Sequence, residues 1–136
     1  MMKGKTTIRV RYADTDQMRF VYNGKFFEYF EVGRTELLRV NGLTYKQIED
    51  NGYYMPVREV KIEYKTAALY DEELEIETWA EKLPSPLMHL QHRVRSVERD
   101  VIICEGYIDL IFVRAQTGRA CKPPEFFINA IKEYYD

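Results

Sequence analysis

The sequence predicts an α+β protein in which an antiparallel β-sheet of about five strands wraps around one long central helix. Residues 23–40 repeat apolar side chains at helical spacing on a broad face, and such a face has to be buried. After Pro56 the apolar period changes to two, and four strands follow one another with only short turns between them. Strands in direct succession pair antiparallel, and a curved sheet around the helix would bury the apolar face.

The first part of the chain is expected to form a strand, a loop and the long helix. Residues 6–11 alternate like a half-buried strand, and residues 12–21 break the alternation with two aspartates. Asn23 is a suitable N-cap for the helix, and Gly42 follows its end. Residues 44–52 are expected to hold a second, short helical stretch. Apolar or small residues at spacings of four, three and four mark the buried helix face: Phe26, Phe30, Gly33 and Leu37.

The second part of the chain is expected to supply the rest of the sheet. Alternating or apolar stretches predict strands over residues 60–64, 74–80, 88–97 and 101–114. The proline-containing residues 83–86 and the glycine-containing residues 116–118 predict turns, and residues 125–135 a closing helix.

Length and composition indicate one globular domain over residues 1–136. The net charge is −2, from 20 basic and 22 acidic residues, so the strongly basic balance typical of nucleic-acid-binding proteins is absent. Aromatic residues make up 14% of the chain and include 11 tyrosines, which favours a core or an interface built from large side chains.

Neither membrane insertion nor a disulfide framework is expected. No apolar run approaches the roughly 20 residues of a membrane span, and the first residues lack the apolar segment of a secretion signal. Cys104 and Cys121 are too few and too far apart for a disulfide framework or a metal site. A cytoplasmic location is therefore expected.

Several catalytic classes are excluded by missing motifs. The chain has no serine nucleophile elbow, no P-loop and no dinucleotide-binding glycine motif. His89 and His92 lie three residues apart on a predicted strand, where their rings would point to opposite faces. A metal site is therefore not expected.

The most informative polar residues are Asp14 and Asp16, in an aromatic-flanked loop just before the long helix. One interpretation is turn and capping chemistry, for which aspartate is well suited. The other is acyl transfer, in which a carboxylate attacks a carbonyl or activates water while helix-start amides bind the oxyanion. On the helix itself, Glu31 and Arg34 are expected to form a structural ion pair.

These residues are part of a pattern that resembles 4-hydroxybenzoyl-CoA thioesterase-like proteins, a family that includes the acyl-CoA thioesterase associated with the Tol–Pal system. The resemblance begins with residues 12–16 (YADTD), 21–23 (VYN), Phe27, Phe30, Glu31 and Arg34. It continues in order through residues 60–64, 68–74, 117–119 and 123–124, and so extends along essentially the whole chain.

The resemblance implies a hot-dog fold, homodimers that often pair into tetramers, and active sites at the subunit boundary. It implies that Asp16 is catalytic and that a backbone amide at Asn23 or Gly24 polarises the thioester carbonyl. The family often has His or Tyr at the position of Asn23, so a side-chain role there is not expected. Lys82 alone remains where one branch of the family has a basic cluster for the phosphates of coenzyme A.

The leading hypothesis is hydrolysis of an acyl-CoA to the carboxylic acid and free coenzyme A, with coenzyme A as part of the substrate and no cofactor. Two alternatives stay open: an acyl carrier protein in place of coenzyme A, or a non-catalytic module that binds acyl groups or a protein partner. Four apolar or aromatic residues are candidates for lining the acyl pocket: Met18, Phe20, Tyr22 and Met55.

Overall fold

The computed structural model describes residues 1–136 and confirms the expected α+β fold. The three helices are α1 (Lys25–Val40), α2 (Tyr45–Asp50) and α3 (Glu125–Ile131). The eight strands are β1 (Met2–Arg9), β2 (Tyr53–Tyr54), β3 (Val57–Tyr64), β4 (Glu73–Ala80), β5 (Met88–Ser96), β6 (Val101–Leu110), β7 (Phe112–Arg114) and β8 (Ala120–Cys121). None of the helices is long and apolar enough to cross a membrane.

Five strands form the main sheet, as the sequence predicts. Their order is β1-β4-β5-β6-β3, and every neighbouring pair is antiparallel. Burial alternates along β4 and β5, with one face of each strand fully covered. The inner face is mainly apolar, α1 covers it along β1, β4 and β5, and the two edges of the sheet are β1 and β3.

Helix α1 packs directly onto the inner face of the sheet, against β1, β4 and β5. A side chain at Gly33 would come within 2.6 Å of the Thr78 hydroxyl and 2.7 Å of an Ile76 methyl group. The absence of a side chain at this position therefore lets the helix backbone approach the sheet closely. Next to it, the rings of Phe30 and His92 stack with their centroids 4.4 Å apart.

The two histidines lie on opposite faces of β5, as their spacing predicts. His92 is 1% exposed beneath α1, and its Nδ1 lies 2.9 Å from the hydroxyl of Thr78. His89 lies on the outer face against Asp109. Burial, together with the nearby guanidinium of Arg34, lowers the pKa of His92 to about 3, so its ring is neutral in the folded protein.

Several expectations about element boundaries are wrong. The first strand, expected over residues 6–11, is Met2–Arg9, and the closing helix, expected over residues 125–135, ends at Ile131. The strand expected over residues 101–114 is interrupted at Ile111, whose amide donates to the Pro56 carbonyl. Beyond it, β7 leaves the main sheet and pairs with β2 and β8 in a small second sheet. Helix α1 begins at Lys25 rather than at residue 23, with Gly24 as its N-cap, so Asn23 is not the cap.

Candidate active site

Asp16 lies at the tip of a tight loop between the first strand and α1. Its Oδ1 accepts a hydrogen bond from the Met18 amide at 2.9 Å, and its own amide donates to the Phe20 carbonyl. Arg19 closes this turn with φ at 67°, in the left-handed region. The second carboxylate oxygen of Asp16 makes no hydrogen bond within the chain, and the side chain is exposed. It is free to act on a bound molecule.

Asp14 anchors the base of the same loop. Its side chain is 3% exposed and accepts hydrogen bonds from the Arg11 amide, the Arg11 guanidinium and the Tyr29 hydroxyl. Lys25 Nζ lies 3.4 Å from its Oδ1. Burial raises the pKa of Asp14, but these donors outweigh that effect and hold the pKa below its ordinary value. The expected turn role of Asp14 is therefore only part of its contribution, because Asp14 also ties the loop to α1.

The start of α1 presents two backbone amides without an acceptor. The amides of Lys25 and Phe26 donate to the carbonyls of Tyr22 and Asn23, whereas those of Asn23 and Gly24 make no hydrogen bond within the chain. Such amides, at the positive end of the helix dipole, are suited to binding a carbonyl oxygen that becomes negatively charged.

A cleft of about 280 Å³ contains both Asp16 and Asn23. The helix start forms one wall, and the end of β3 with the segment that follows it forms the other. The remaining lining residues are Phe20, Val21, Phe26, Tyr64, Lys65, Thr66, Ala67 and Ala68. The carboxylate and the helix-start residue expected to act together thus open onto the same space.

The candidate pocket residues lie in three different places. Phe20 lines the cleft beside Asp16. Met18 and Tyr22 are 70% and 62% exposed and do not line it, although the Tyr22 ring lies against Gly24. Met55 lies in a separate pocket with Tyr45 and other residues around α2, so within one chain it does not reach the Asp16 cleft. Met55 lies outside the cleft because it is positioned between β2 and β3, alongside α2.

The far wall of the cleft is held by a second buried carboxylate. Glu72 is 6% exposed and accepts two hydrogen bonds from the Arg99 guanidinium, at 2.6 and 2.7 Å. Arg99, in the turn between β5 and β6, also donates to the Ala67 carbonyl at 2.7 Å. The Ala68 carbonyl in turn accepts from the Val21 amide, which joins this wall to the Asp16 loop.

Several residues of the cleft were not singled out from the sequence as site residues. Tyr64 is the clearest case, because it lines the cleft and its hydroxyl contacts the start of α1. The alternation in residues 60–64 places Tyr64 on a strand. It does not indicate which strand end meets the helix, so no local signal identifies this contact.

Residues 10–131 match the thioesterase-like superfamily. The chain belongs to that superfamily. The match includes the Asp16 loop, α1 and four of the five strands of the main sheet, and it begins directly after β1.

Individual relatives agree with this assignment. YneP of Bacillus subtilis, proposed to be an acyl-CoA thioesterase, is 41% identical over 81 residues, which are 60% of this chain and 59% of YneP. YbgC of Escherichia coli O157:H7, an acyl-CoA thioester hydrolase, is 27% identical over 95 residues, 70% of this chain and 71% of YbgC. The chain thus spans about three fifths of YneP.

Solved structures agree as well. A DHNA-CoA thioesterase from Staphylococcus aureus superposes with a TM-score of 0.89 at 27% identity, over 98% of this chain and 89% of that one. The expected family and hot-dog fold are confirmed, and thioester hydrolysis is supported as the activity class.

Proposed function

We propose that this thioesterase-family protein hydrolyses an acyl-CoA to the carboxylic acid and free coenzyme A in the cleft that contains Asp16. The observation that carries the proposal is one arrangement: a carboxylate with an unengaged oxygen shares a cleft with Asn23, whose backbone amide has no acceptor at the start of α1. Hydrolysis of a thioester needs both parts, a base or nucleophile and a donor for the oxyanion.

Asp16 can act by either of two chemical routes. As a nucleophile, its carboxylate oxygen attacks the carbonyl carbon, the C–S bond breaks, and water then cleaves the resulting anhydride to restore Asp16. As a general base, it takes a proton from water while the oxygen of that water attacks, and the proton passes to the departing thiolate. In both routes the amide of Asn23 or Gly24 stabilises the negative charge on the carbonyl oxygen.

The proposed chemistry requires no metal ion and no redox cofactor, because the carboxylate and the amides supply what each step needs. Phe20 contributes an apolar surface to the acyl side of the cleft, and Met18 and Tyr22 lie beside it on the exposed side. We further propose a cytoplasmic location, to which the two unpaired cysteines are suited.

A direct assay tests the activity. Purified protein would be incubated with acyl-CoA thioesters of varied chain length and with aromatic acyl-CoA thioesters, and the released thiol measured. Release without added metal is the expected result. Activity that a chelator abolishes and zinc restores would contradict the metal-free mechanism. Preference for acyl carrier protein thioesters would identify the alternative substrate, and failure on all thioesters would favour a binding module.

The active unit is proposed to be a homodimer, or a tetramer of paired dimers. Strand β3 is an unpaired edge, and its last residue, Tyr64, lines the cleft. Tyr22, Phe27 and Tyr64, all near the start of α1, are 62%, 46% and 47% exposed. A second copy paired along β3 would cover the edge and bring its own residues to the cleft.

Light scattering coupled to size-exclusion chromatography, with activity measured over a dilution series, tests the assembly. We expect a dimer or larger species whose specific activity falls as it dissociates. A monomer of about 16 kDa, the size of the 16.3 kDa chain, with full specific activity would exclude a shared site.

A further inference from the structure

The wall of the Asp16 cleft opposite α1 is formed by residues 65–68, which follow β3 and belong to no strand or helix. The amides of the first two of these residues both donate to the Ile103 carbonyl, at 2.8 and 3.1 Å, so the beginning of the wall is fixed to the main sheet. Ala67 and Ala68 carry only a methyl group each. The position of their backbone therefore determines how wide the cleft is at this wall.

The later part of the wall is held by the Glu72–Arg99 pair. The Arg99 guanidinium donates to both carboxylate oxygens of Glu72 and, through Nη2, to the Ala67 carbonyl at 2.7 Å. Glu72 Oε1 also accepts from the Leu69 amide at 3.0 Å. The Ser96 hydroxyl donates to the other oxygen, Oε2. The pair thus contacts the backbone at Ala67 and again two residues later.

The charge and shape of both side chains are needed for this set of contacts. Burial raises the pKa of Glu72, but the donors from Arg99, Ser96 and Leu69 outweigh that effect and hold the pKa below its ordinary value. The carboxylate is therefore ionised at neutral pH. Only a planar guanidinium can donate to two carboxylate oxygens and to a carbonyl at once, and the single ammonium of a lysine cannot reproduce this geometry.

The same wall is joined to the loop that carries Asp16. The Val21 amide donates to the Ala68 carbonyl at 2.9 Å, and Phe20 forms a β-bridge with Leu69. The Asp16 amide in turn donates to the Phe20 carbonyl at 2.9 Å. A displacement of the wall would therefore change both the width of the cleft and the position of the carboxylate.

We propose that Glu72 and Arg99 are positioning residues that fix the wall of the Asp16 cleft and thereby determine which acyl groups the protein hydrolyses. The inference rests on the proposed function. Neither side chain lines the cleft, so both act through the backbone of Ala67 and of the residues that follow it.

Kinetics of Arg99→Lys test the proposal, because this change keeps a positive charge beside Glu72 and removes the three-point contact. We expect the ratio of kcat/KM for octanoyl-CoA to that for butanoyl-CoA to rise about 10-fold, since a wall that is no longer held can yield to a larger acyl group. Arg93→Lys is the matched control. Arg93 lies near two carboxylates, those of Glu77 and Glu105, on the outer face of the sheet and does not contact the wall.

The double variant Glu72→Gln/Arg99→Met removes the pair without leaving a buried charge unpaired. It should shift the ratio at least as far as Arg99→Lys does. An unchanged ratio in both variants would overturn the proposal. So would an equal loss of activity on the two substrates, which is what a general loss of stability produces, or an equal shift in Arg93→Lys.

Amide NMR of the same variants gives a readout that needs no catalysis. Arg99→Lys should move the Val21 amide resonance, because that amide donates to the wall, and Arg93→Lys should leave it in place. An unmoved Val21 resonance in Arg99→Lys would overturn the proposal. An inactive unchanged protein would instead reject the proposed function, and the Val21 resonance would still decide whether the pair positions the wall.

Discussion

Asp14 and Asp16 are separated by one residue, but their surroundings differ in almost every respect. Asp14 is 3% exposed and has donors from Arg11 and Tyr29 on its carboxylate, with Lys25 close by. Asp16 is exposed and holds a single hydrogen bond, from the Met18 amide. The same functional group is thus placed once inside the protein, where its charge is fully compensated, and once at the surface of a cleft.

The difference indicates why Asp14 has a structural role and why Asp16 is the carboxylate proposed to react. Donors on both oxygens stabilise the charge of Asp14 and leave it a weak base with no lone pair directed at a ligand. Asp16 keeps one oxygen available and is held in place by a turn rather than by charged partners. Burial and hydrogen bonding, not proximity in sequence, assign the two roles.

The strongest test of this comparison is Asp16→Asn. We expect kcat for thioester hydrolysis to fall on the order of 10²-fold or more, because a nucleophile or general base is lost. The melting temperature should change little, since the side chain is exposed and only the Met18 contact is altered. Assays of thiol release beside calorimetry of the same preparation check both parts. Equal losses in Asp16→Asn and Asp14→Asn would contradict the division of roles.

Asp14→Asn should have the opposite profile. The amide group would face the donors of Arg11 and Tyr29 with donors of its own, so we expect the free energy of unfolding to fall by about 2–3 kcal/mol. Activity measured where the variant is still folded should decrease much less than in Asp16→Asn. Urea unfolding of both variants gives the comparison. Tyr29→Phe is the matched milder change, because it removes only one of these donors. It should lower the free energy of unfolding by about 1 kcal/mol.

The stability contributed by Asp14 also has a defined pH dependence. Because its pKa is lowered in the folded protein, the contribution is complete above the unfolded value of 3.8 and is lost as the pH falls through the folded pKa. The stability difference between the unchanged protein and Asp14→Asn should therefore narrow on acidification below about pH 4. A difference that stays constant from pH 6 to pH 3 would mean that the ionised carboxylate is not what stabilises the loop.

His92 extends the comparison to a group that is buried without a compensating charge. Phe30 and Arg34 of α1 and Thr78 of β4 face it, and none of them can stabilise a protonated ring by opposite charge. Its pKa of about 3, against 6.5 in the unfolded chain, means that only the unfolded chain binds the proton between these values. Stability should thus fall as the pH decreases below 6.5, by up to about 1.4 kcal/mol per pH unit.

Urea unfolding between pH 7 and pH 5 measures this slope. His92→Phe keeps an aromatic ring against Phe30 and should flatten the slope of the free energy of unfolding against pH. At pH 7 the variant loses the contact between His92 and Thr78. The control is the corresponding change at His89, which lies on the outer face of the same strand. A slope that survives in His92→Phe would show that other groups control the acid response.

Much of the fold can be predicted from the spacing of apolar residues, because burying one face of a helix or strand repeats them at a fixed interval. The helical period of residues 23–40 and the two-residue period of the later strands predict α1 and the five-stranded sheet. The break at Ile111 could not be predicted in this way. It depends on the Pro56 carbonyl, which lies 55 positions earlier in the chain and is brought there only by the fold.

In the candidate site, too, residues close in sequence could be predicted and contacts between distant segments could not. Asp16 and the helix start are close in sequence, and the family pattern contains them, so both were predictable. Tyr64 was not predicted as a site residue, and Met55, predicted to line the pocket, lies elsewhere. A strand pattern does not indicate which loop the end of the strand will meet. Contacts between distant segments are determined by tertiary packing, for which a single sequence gives no direct signal.

The link from Arg99 to the cleft wall means that the shape of the cleft depends on a residue outside its lining. Arg99 belongs to a hairpin turn between two strands, yet its guanidinium donates hydrogen bonds to Glu72 and to the Ala67 carbonyl, which belongs to the wall of the Asp16 cleft. Changes in that turn should therefore alter the position of the cleft wall without replacing any residue that lines the cleft. Directed libraries aimed at acyl-chain selectivity should include residues 97–100, which a search restricted to the pocket lining would omit.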